Sequence, residues 1–210
     1  MDIVINKLED SPFSLKNVFD FIRTVYADRK TNGIDFWLST CSFEEYEAKV
    51  QKDKKNIIVA YSNSTHELIG TAALTIRKDK KGRKFGGMSN CAVKRDYQNQ
   101  DIGTMLVEKR KQMAKDENCM YLKSTTAVNA ISSVRWHLKN GYLKCGLGSG
   151  STNNYYSYVF IMPLVNANSF YYRVGYKIAY ALSYIRIKTS FKKNGDPTWF
   201  GRLLKNILGK

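Results

Sequence analysis

Two kinds of apolar spacing alternate along the first 165 residues of the chain. Short runs rich in alternating or β-branched residues predict strands, the first of them around Ile3 and Ile5. Runs with apolar residues three or four positions apart predict amphipathic helices, and the first helix places on one face Leu15, Val18, Phe19, Ile22 and Val25. The predicted order is β-α-α-β-β-β-α-β-α-β-β, so we expect an α/β fold.

Local signals mark the limits of the later elements. Ser42, followed three residues later by Glu45, forms a capping-box pattern that predicts the start of the second helix. Two further helices are predicted at 102–113 and 130–139. The remaining strands are predicted at 57–61, 68–76, 85–93, 120–123, 141–145 and 155–164.

The composition is that of a folded protein. The 210 residues are 43% hydrophobic and 25% charged, which argues against a disordered, collagen-like or low-complexity chain. The length fits one domain with an appendage. No apolar run approaches the roughly 18 residues that a membrane-spanning helix requires, and residues 1–10 lack the pattern of a secretory signal. We therefore expect a cytoplasmic protein.

The four cysteines give no sign of a metal or redox centre. They lie far apart in the sequence and include no CxxC pair, so neither a zinc site nor a thioredoxin-like motif is supported. We expect reduced thiols, most of them buried, and no bound metal. These cysteines are Cys41, Cys91, Cys119 and Cys145.

Positive charge is concentrated at the end of the chain. The net charge is +16, and residues 166–210 contribute half of it with nine Lys or Arg residues and one acid. Such a field attracts phosphate-rich ligands, nucleic acid or anionic lipid. We therefore treat 1–165 as a main domain and 166–210 as a basic extension.

The sequence pattern of the extension predicts two amphipathic helices. The first covers 168–188 and places on one side Tyr171, Val174, Ile178, Ala181, Leu182 and Ile185, and Asp196-Pro197 has the pattern of a second helix start. The helices can pack against the main domain or a second subunit, which would make a homodimer. They can also lie on an anionic membrane surface. Nucleic acid is the weakest alternative, because no recognised binding motif accompanies the charge.

One segment suits a pyrophosphate. From Cys91 to Leu106 a strand ends, a polar loop follows, and a helix begins at Ile102-Gly103-Thr104. Such a turn presents unpaired backbone N–H groups and the positive end of a helix dipole to one place. A glycine at a helix start is explained more simply by close helix packing, so this segment alone does not establish a phosphate site.

A second segment, 129–142, predicts a helix that stops at Gly141. Together with the strand order, the two segments resemble the GCN5-related N-acetyltransferase (GNAT) superfamily over roughly residues 1–165. The resemblance implies a mixed central sheet flanked by helices and acetyl-CoA as the cosubstrate.

In the pyrophosphate loop pattern Q/R-x-x-G-x-G/A, Gln98 and Gly103 match, while Asp101 replaces the first glycine. Asp101 can serve instead as a helix N-cap.

The resemblance also implies the cosubstrate contacts. The pyrophosphate would bind along the loop, at Gln98, Asn99, Gln100, Asp101, Ile102, Gly103 and Thr104. Backbone N–H groups at the end of the preceding strand, around Cys91, Ala92 and Val93, would hold the thioester carbonyl. The implied reaction is direct transfer of an acetyl or longer acyl group to an amine.

The sequence gives weaker signals for the residues that would transfer protons in this reaction. If Gly141-Tyr142 sets the register, His137 occupies the position where the family commonly has a tyrosine near the CoA sulfur, although a histidine on an amphipathic helix is more often a packed or surface residue. Strand 85–93 contains no glutamate, so a water chain, His137 or Tyr156 must accept the amine proton. Residues 149–158 are a candidate substrate loop or a plain hairpin connection.

The charge suggests an acidic acceptor, such as a phosphorylated or nucleotide-linked amino sugar. The alternative function is a non-catalytic or membrane-surface binding protein that keeps a GNAT-like fold.

Overall fold

The structure is a computed structural model of the chain, and it describes residues 2–27, 38, 40–128, 130–149, 156–165, 170–190, 198–200 and 202–203. Within these ranges the main elements follow the predicted order. They are β1 (Ile3–Lys7), α1 (Leu15–Ala27), α2 (Phe43–Lys52), β2 (Asn56–Ser62), β3 (Leu68–Lys78), β4 (Lys84–Val93), α3 (Ile102–Asp116), β5 (Tyr121–Ala127), α4 (Ile131–Lys139), β6 (Leu143–Ser149), β7 (Tyr156–Pro163) and α5 (Phe170–Ser190).

The strands follow the order β1-β2-β3-β4-β5-β7-β6 in the sheet. The predicted mixed sheet with helices is therefore confirmed, and the predicted helical extension is present as α5. By packing, the chain divides into two compact units, Met1–Leu122 and Lys123–Lys210, and we describe each by itself. The proposed domains 1–165 and 166–210 stay a prediction.

In the first unit, β1 to β4 form an antiparallel meander, with Val4 opposite Tyr61 and Val59 opposite Thr71. Because side chains alternate along a strand, the two faces of β2 enter different cores. Val59 packs with α1 and α2, whereas Ile58 packs with α3. Both side chains are fully buried, and burial of each stabilises the fold by about 1.5–3 kcal/mol.

Local capping fixes the start of α2. The backbone N–H of Glu45 donates to Ser42 Oγ at 3.2 Å, and the backbone N–H of Ser42 donates to Glu45 Oε2 at 2.9 Å. The predicted capping box is therefore confirmed. It satisfies two backbone donors that the first helical turn would otherwise leave unpaired.

In the second unit, β6 and β7 pair antiparallel, with Leu143 opposite Ile161. One face of α5 packs on β6, where Gly146 lies close to Ser183. Ile187 on this face of α5 is buried.

The opposite face of α5 is apolar and exposed. Ile178, Leu182 and Ile185 are 55%, 62% and 58% exposed, and they follow one another at helical spacing. Among the described residues, no helix combines the length and apolarity needed to span a bilayer. Residues 196–197, where the sequence predicts a second helix start, lie outside the described residues.

Candidate active site

A β-bulge interrupts β4 where the sequence places the thioester contacts. Thr71 of β3 pairs with Ala92, but Ala73 pairs with Ser89, so one residue of β3 faces both Asn90 and Cys91. Asn90 has φ of +51°, in the left-handed region. A bulge bends its strand and turns backbone groups away from the regular ladder. The backbone around Cys91 is therefore turned away from the ladder that β3 and β4 form elsewhere.

Polar groups surround the bulge inside the protein. The Tyr26 hydroxyl donates to the Cys91 carbonyl oxygen at 3.1 Å. Tyr46 Oη and Asn90 Nδ2 are both buried without a hydrogen-bond partner. Burial raises the pKa of Tyr46 to about 12, and the nearby Asn90 amide offsets this effect in part without forming a bond of good geometry. Buried polar groups of this kind are costly unless something pairs with them.

A cluster of three side chains anchors the segment after β4. Lys94 forms an ion pair with Glu67, and the Tyr97 hydroxyl donates to Glu67 Oε2 at 2.7 Å. Hydrogen bonds from Lys94 and then from Tyr97 lower the pKa of the Glu67 carboxyl. Lys94 is thus held by Glu67, and its backbone N–H donates to the Ile69 carbonyl at 2.9 Å. These contacts fix the direction in which the loop between β4 and α3 leaves the sheet.

The loop itself carries two residues in the left-handed conformation. Asn99 has φ of +63°, and Asp101 has φ of +59° and ψ of +5°. Asp101 thus adopts the backbone conformation that favours glycine. It occupies the N-cap position of α3, but its side chain forms no capping hydrogen bond, so the predicted side-chain cap is wrong. Gln98 Nε2 donates to the Val93 carbonyl at 3.1 Å and closes the loop.

The loop ends at the first turn of α3. The first N–H groups of a helix have no partner within the helix and carry its positive partial charge. Gly70 of β3 lets α3 approach the sheet, because a Cβ there would lie 3.3 Å from Leu106 Cδ1. A shallow concavity beside this turn is lined by Ile5, Asp101, Thr104, Met105, Glu108, Lys109 and Gln112.

A buried arginine lies on the α3 side of the bulge. Arg110 is 0% exposed, and its Nη2 lies 3.6 Å from Cys91 Sγ. Its Nε donates to the Leu106 carbonyl at 3.3 Å, whereas its Nη1 has no hydrogen-bond partner. No salt bridge among the described residues includes this arginine.

His137 lies on α4 in the second unit and is only 5% exposed. Its Nδ1 lies 2.7 Å from the Ser133 carbonyl oxygen, and its Nε2 lies 3.0 Å from Ser124 Oγ. Because a carbonyl oxygen only accepts, Nδ1 carries the proton and Nε2 accepts from the Ser124 hydroxyl. The ring also stacks on Phe160, with centroids 4.6 Å apart.

Tyr156 begins β7, where it pairs with Ser149. Residues 150–155 of the candidate substrate loop lie outside the described residues.

The site geometry agrees with a comparison of the chain with family models. The model of the acetyltransferase (GNAT) family matches residues 20–142, which is more than half of the chain. The chain belongs to the GNAT family of acetyltransferases. The match contains the bulge, the loop and α3. Membership of this family also confirms the expectation that acetyl-CoA is the cosubstrate.

Solved structures show the same fold. The NatC complex bound to Gag peptide and CoA is 16% identical, with a TM-score of 0.63, and the match covers 78% of this chain and 99% of that chain. A probable acetyltransferase from Staphylococcus epidermidis is 17% identical, with a TM-score of 0.61 and coverage of 77% and 98%. Arabidopsis thaliana NAA60 in complex with a bisubstrate analogue is 14% identical, with a TM-score of 0.60 and coverage of 79% and 99%. A search of curated proteins found no match.

The residues of this GNAT chain fit an acyl-CoA. The structure leaves two buried donors, Asn90 Nδ2 and Arg110 Nη1, without a partner beside the bulge. An acyl-CoA has carbonyl acceptors and phosphates, so it can satisfy donors of this type and the N–H groups of the loop. The roles of Cys91–Val93 and of 98–104 stay predictions, but the structure brings both segments to the β4–α3 connection.

The sequence analysis missed four residues around the bulge: Tyr26, Tyr46, Asn90 and Arg110. Asn90 carried a usable signal, because asparagine is enriched at positive φ and here interrupts a strand pattern. Arg110 carried another signal, because it lies four residues after Leu106 and therefore on the same face of α3. The two tyrosines fell on apolar helix faces and gave no signal beyond the core pattern.

Proposed function

We propose that this GNAT chain transfers an acetyl group from acetyl-CoA to an amine. The observation that carries the proposal is the bulge in β4, followed by a loop with two left-handed residues that leads into the start of α3. In this proposal, backbone N–H groups around Cys91, Ala92 and Val93 hold the thioester carbonyl, and the N–H groups of residues 98–104 hold the pyrophosphate.

The reaction is a direct displacement. The amine nitrogen forms a bond to the acetyl carbonyl carbon while the bond from that carbon to sulfur breaks, and its electron pair leaves with sulfur. The products are an amide and CoA, and the amine loses one proton. An alkyl amine has a pKa near 10.4, so it must be deprotonated before it can attack.

His137 and Tyr156 are the proposed proton acceptors. For His137 the hydrogen bonds favour the role of a base over that of an acid. With the proton on Nδ1, Nε2 has a free electron pair and accepts a hydrogen bond from the Ser124 hydroxyl. A proton that reached Ser124 could pass to Nε2 along this bond. The Ser133 carbonyl, bound to Nδ1, would stabilise the ring after it has gained a proton.

The acceptor is a small molecule with an amine. We propose an acidic one, such as a phosphorylated or nucleotide-linked amino sugar, because a net charge of +16 raises the local concentration of anions. The cytoplasmic location expected from the sequence stays a prediction.

Acetyl-CoA binding separates this proposal from a non-catalytic protein with the same fold. We expect saturating acetyl-CoA to raise the melting temperature, since it binds the native state. Amine-dependent release of CoA, measured across a panel of amino sugars with and without phosphate, would then test transfer. A melting curve that acetyl-CoA leaves unchanged would refute the enzyme proposal.

The exposed face of α5 supports a second proposal, that the extension docks on an anionic membrane surface. The apolar stripe of Ile178, Leu182 and Ile185 has exposed basic residues on both sides, with Arg186 on one and Lys177 on the other. An apolar stripe with flanking basic side chains is complementary to a bilayer that contains anionic lipid.

The membrane proposal is tested by sedimentation with lipid vesicles. We expect the full chain to bind vesicles that contain phosphatidylserine, to bind neutral vesicles weakly, and to lose binding as salt rises. The double variant Leu182→Ser/Ile185→Ser should lose vesicle binding and keep its affinity for acetyl-CoA. A protein that binds no vesicles and runs as a dimer, which the same variant dissociates, would assign this face to a second copy of the chain.

A further inference from the structure

Arg110 is the most anomalous side chain of the first unit. It lies on the face of α3 that otherwise buries Ile102, Leu106, Val107 and Ala114. Its guanidinium is fully buried, one of its nitrogens has no hydrogen-bond partner, and no described carboxylate pairs with it. A charge in this position is rarely retained without a partner, because burial of an unpaired ion strongly disfavours the folded state.

The surroundings of Arg110 indicate what kind of partner is missing. Among the described residues, the one side chain that accepts a hydrogen bond from Arg110 is a thiol, with Nη2 3.6 Å from Cys91 Sγ. Cys91 belongs to the bulge, at the point where the proposed function holds the thioester of the acyl-CoA. A thioester gives up its sulfur as a thiolate, which is a buried anion once the acyl group has left.

We propose that Arg110 stabilises the thiolate of CoA that leaves during acyl transfer. The inference rests on the proposed function and adds a catalytic residue to it. As the carbon–sulfur bond breaks and its electron pair moves to sulfur, the guanidinium attracts the developing negative charge, and Nη1 donates a hydrogen bond to it. A fixed donor in a buried site costs little reorganisation when the charge forms.

A cation beside the sulfur removes the need for a proton donor during the transfer, because a stabilised thiolate can take its proton from solvent afterwards. Arginine suits the role since it remains charged when buried.

The test compares CoA with desulfo-CoA, which lacks the thiol, by calorimetry between about pH 6 and pH 9, a range around the ordinary pKa of a thiol near 8.5. If Arg110 stabilises the thiolate, wild-type protein should bind CoA more tightly as pH rises, by about tenfold relative to desulfo-CoA at the upper end. The variant Arg110→Met should lose this preference and bind desulfo-CoA as wild type does. Its turnover should fall about 10²-fold, with the KM for acetyl-CoA nearly unchanged.

Two controls isolate the buried charge. Lys115→Met removes an exposed positive charge from the same helix and should leave all these quantities unchanged. Arg110→Lys keeps the charge and should retain a preference for CoA between those of wild type and Arg110→Met. Because an unpaired buried charge is removed, Arg110→Met should melt at the wild-type temperature or above.

The binding measurements distinguish failure of the thiolate proposal from failure of the proposed function. Wild-type protein that binds CoA and desulfo-CoA alike across the pH range overturns the thiolate proposal and leaves the proposed function intact. Equal weakening of both ligands by Arg110→Met also overturns it, because the arginine would then contact another part of CoA. Wild-type protein that binds neither ligand refutes the proposed function itself.

Discussion

Asp101→Gly should strengthen CoA binding. Asp101 stands where the family pattern has glycine, its φ is +59°, and its carboxylate forms no capping hydrogen bond. A carboxylate about 6 Å from one phosphate charge costs about 0.7 kcal/mol at the dielectric of water and about 3 kcal/mol at an effective dielectric of 20. Because Asp101 is exposed, the lower part of this range applies. We expect a gain of about 1 kcal/mol, which is about fivefold in Kd.

Folding stability should change little in the same variant. Relief of the left-handed conformation stabilises the native state by about 1 kcal/mol. The added freedom of glycine in the unfolded chain costs about 0.4–1 kcal/mol, and loss of a negative charge at the start of α3 costs about 0.3–1 kcal/mol. These terms nearly cancel, so an affinity gain would not reflect a more stable protein.

Calorimetric titration of CoA at low and at moderate salt checks this prediction. Asp101→Asn is the matched control, since asparagine tolerates positive φ but carries no charge. Both variants should bind more tightly than wild type, and the difference should shrink as salt screens the charges. If Asp101→Asn binds CoA with wild-type affinity at low salt, the carboxylate does not face a phosphate and the reasoning fails.

Three further changes probe the same site. Gly103→Glu should abolish CoA binding with little loss of fold, because it adds bulk and charge at the first turn of α3; unaltered affinity by calorimetry would place the cosubstrate elsewhere. His137→Phe should keep the stacking on Phe160 and the affinity for CoA but lower turnover about 10²-fold. If the variant has the pH–rate profile of the wild type, His137 serves only in packing. Tyr46→Phe removes a buried hydroxyl without a partner, so unfolding by urea should show equal or up to about 1 kcal/mol greater stability, and a clear loss would reveal a hidden partner.

The element order was predictable because the apolar periods are strong and local. Each strand and helix of 1–165 appears near its predicted position, and the capping box fixed the start of α2 at Ser42. The face of α3 was less predictable. The structure buries Val107 and Arg110 on this helix and leaves Met105 exposed. A charged residue interrupts the apolar pattern, so periodicity alone does not indicate that position 110 faces the core.

The site was predictable only where motif residues lie next to one another. The loop from Gln98 to Gly103 is continuous in sequence, so its connection to β4 and α3 followed from the pattern. The bulge depends on pairing with β3, and the burial of Tyr46 depends on packing between α2 and β4, which are distant in sequence. Long-range contacts of this kind leave no periodic trace in a single sequence.

One short segment, from the bulge in β4 to the start of α3, contains several departures from the local rules of protein structure. Among the described residues, six non-glycine residues have positive φ. Three of them lie at the end of α2, in the β2–β3 turn and at the end of α3, where chain reversal accounts for them: Lys54, His66 and Asn118. The other three lie between the bulge and α3: Asn90, Asn99 and Asp101.

The same segment leads to the unpaired guanidinium of Arg110 and contains the unpaired amide of Asn90. Backbone strain and unsatisfied donors each disfavour the folded state, and a chain retains both together only where something else compensates. The cores beside this segment are ordinary, with fully buried side chains on both faces of the sheet. The proposed function offers such a compensation, because CoA bound at this segment would bring both hydrogen-bond acceptors and negative charge.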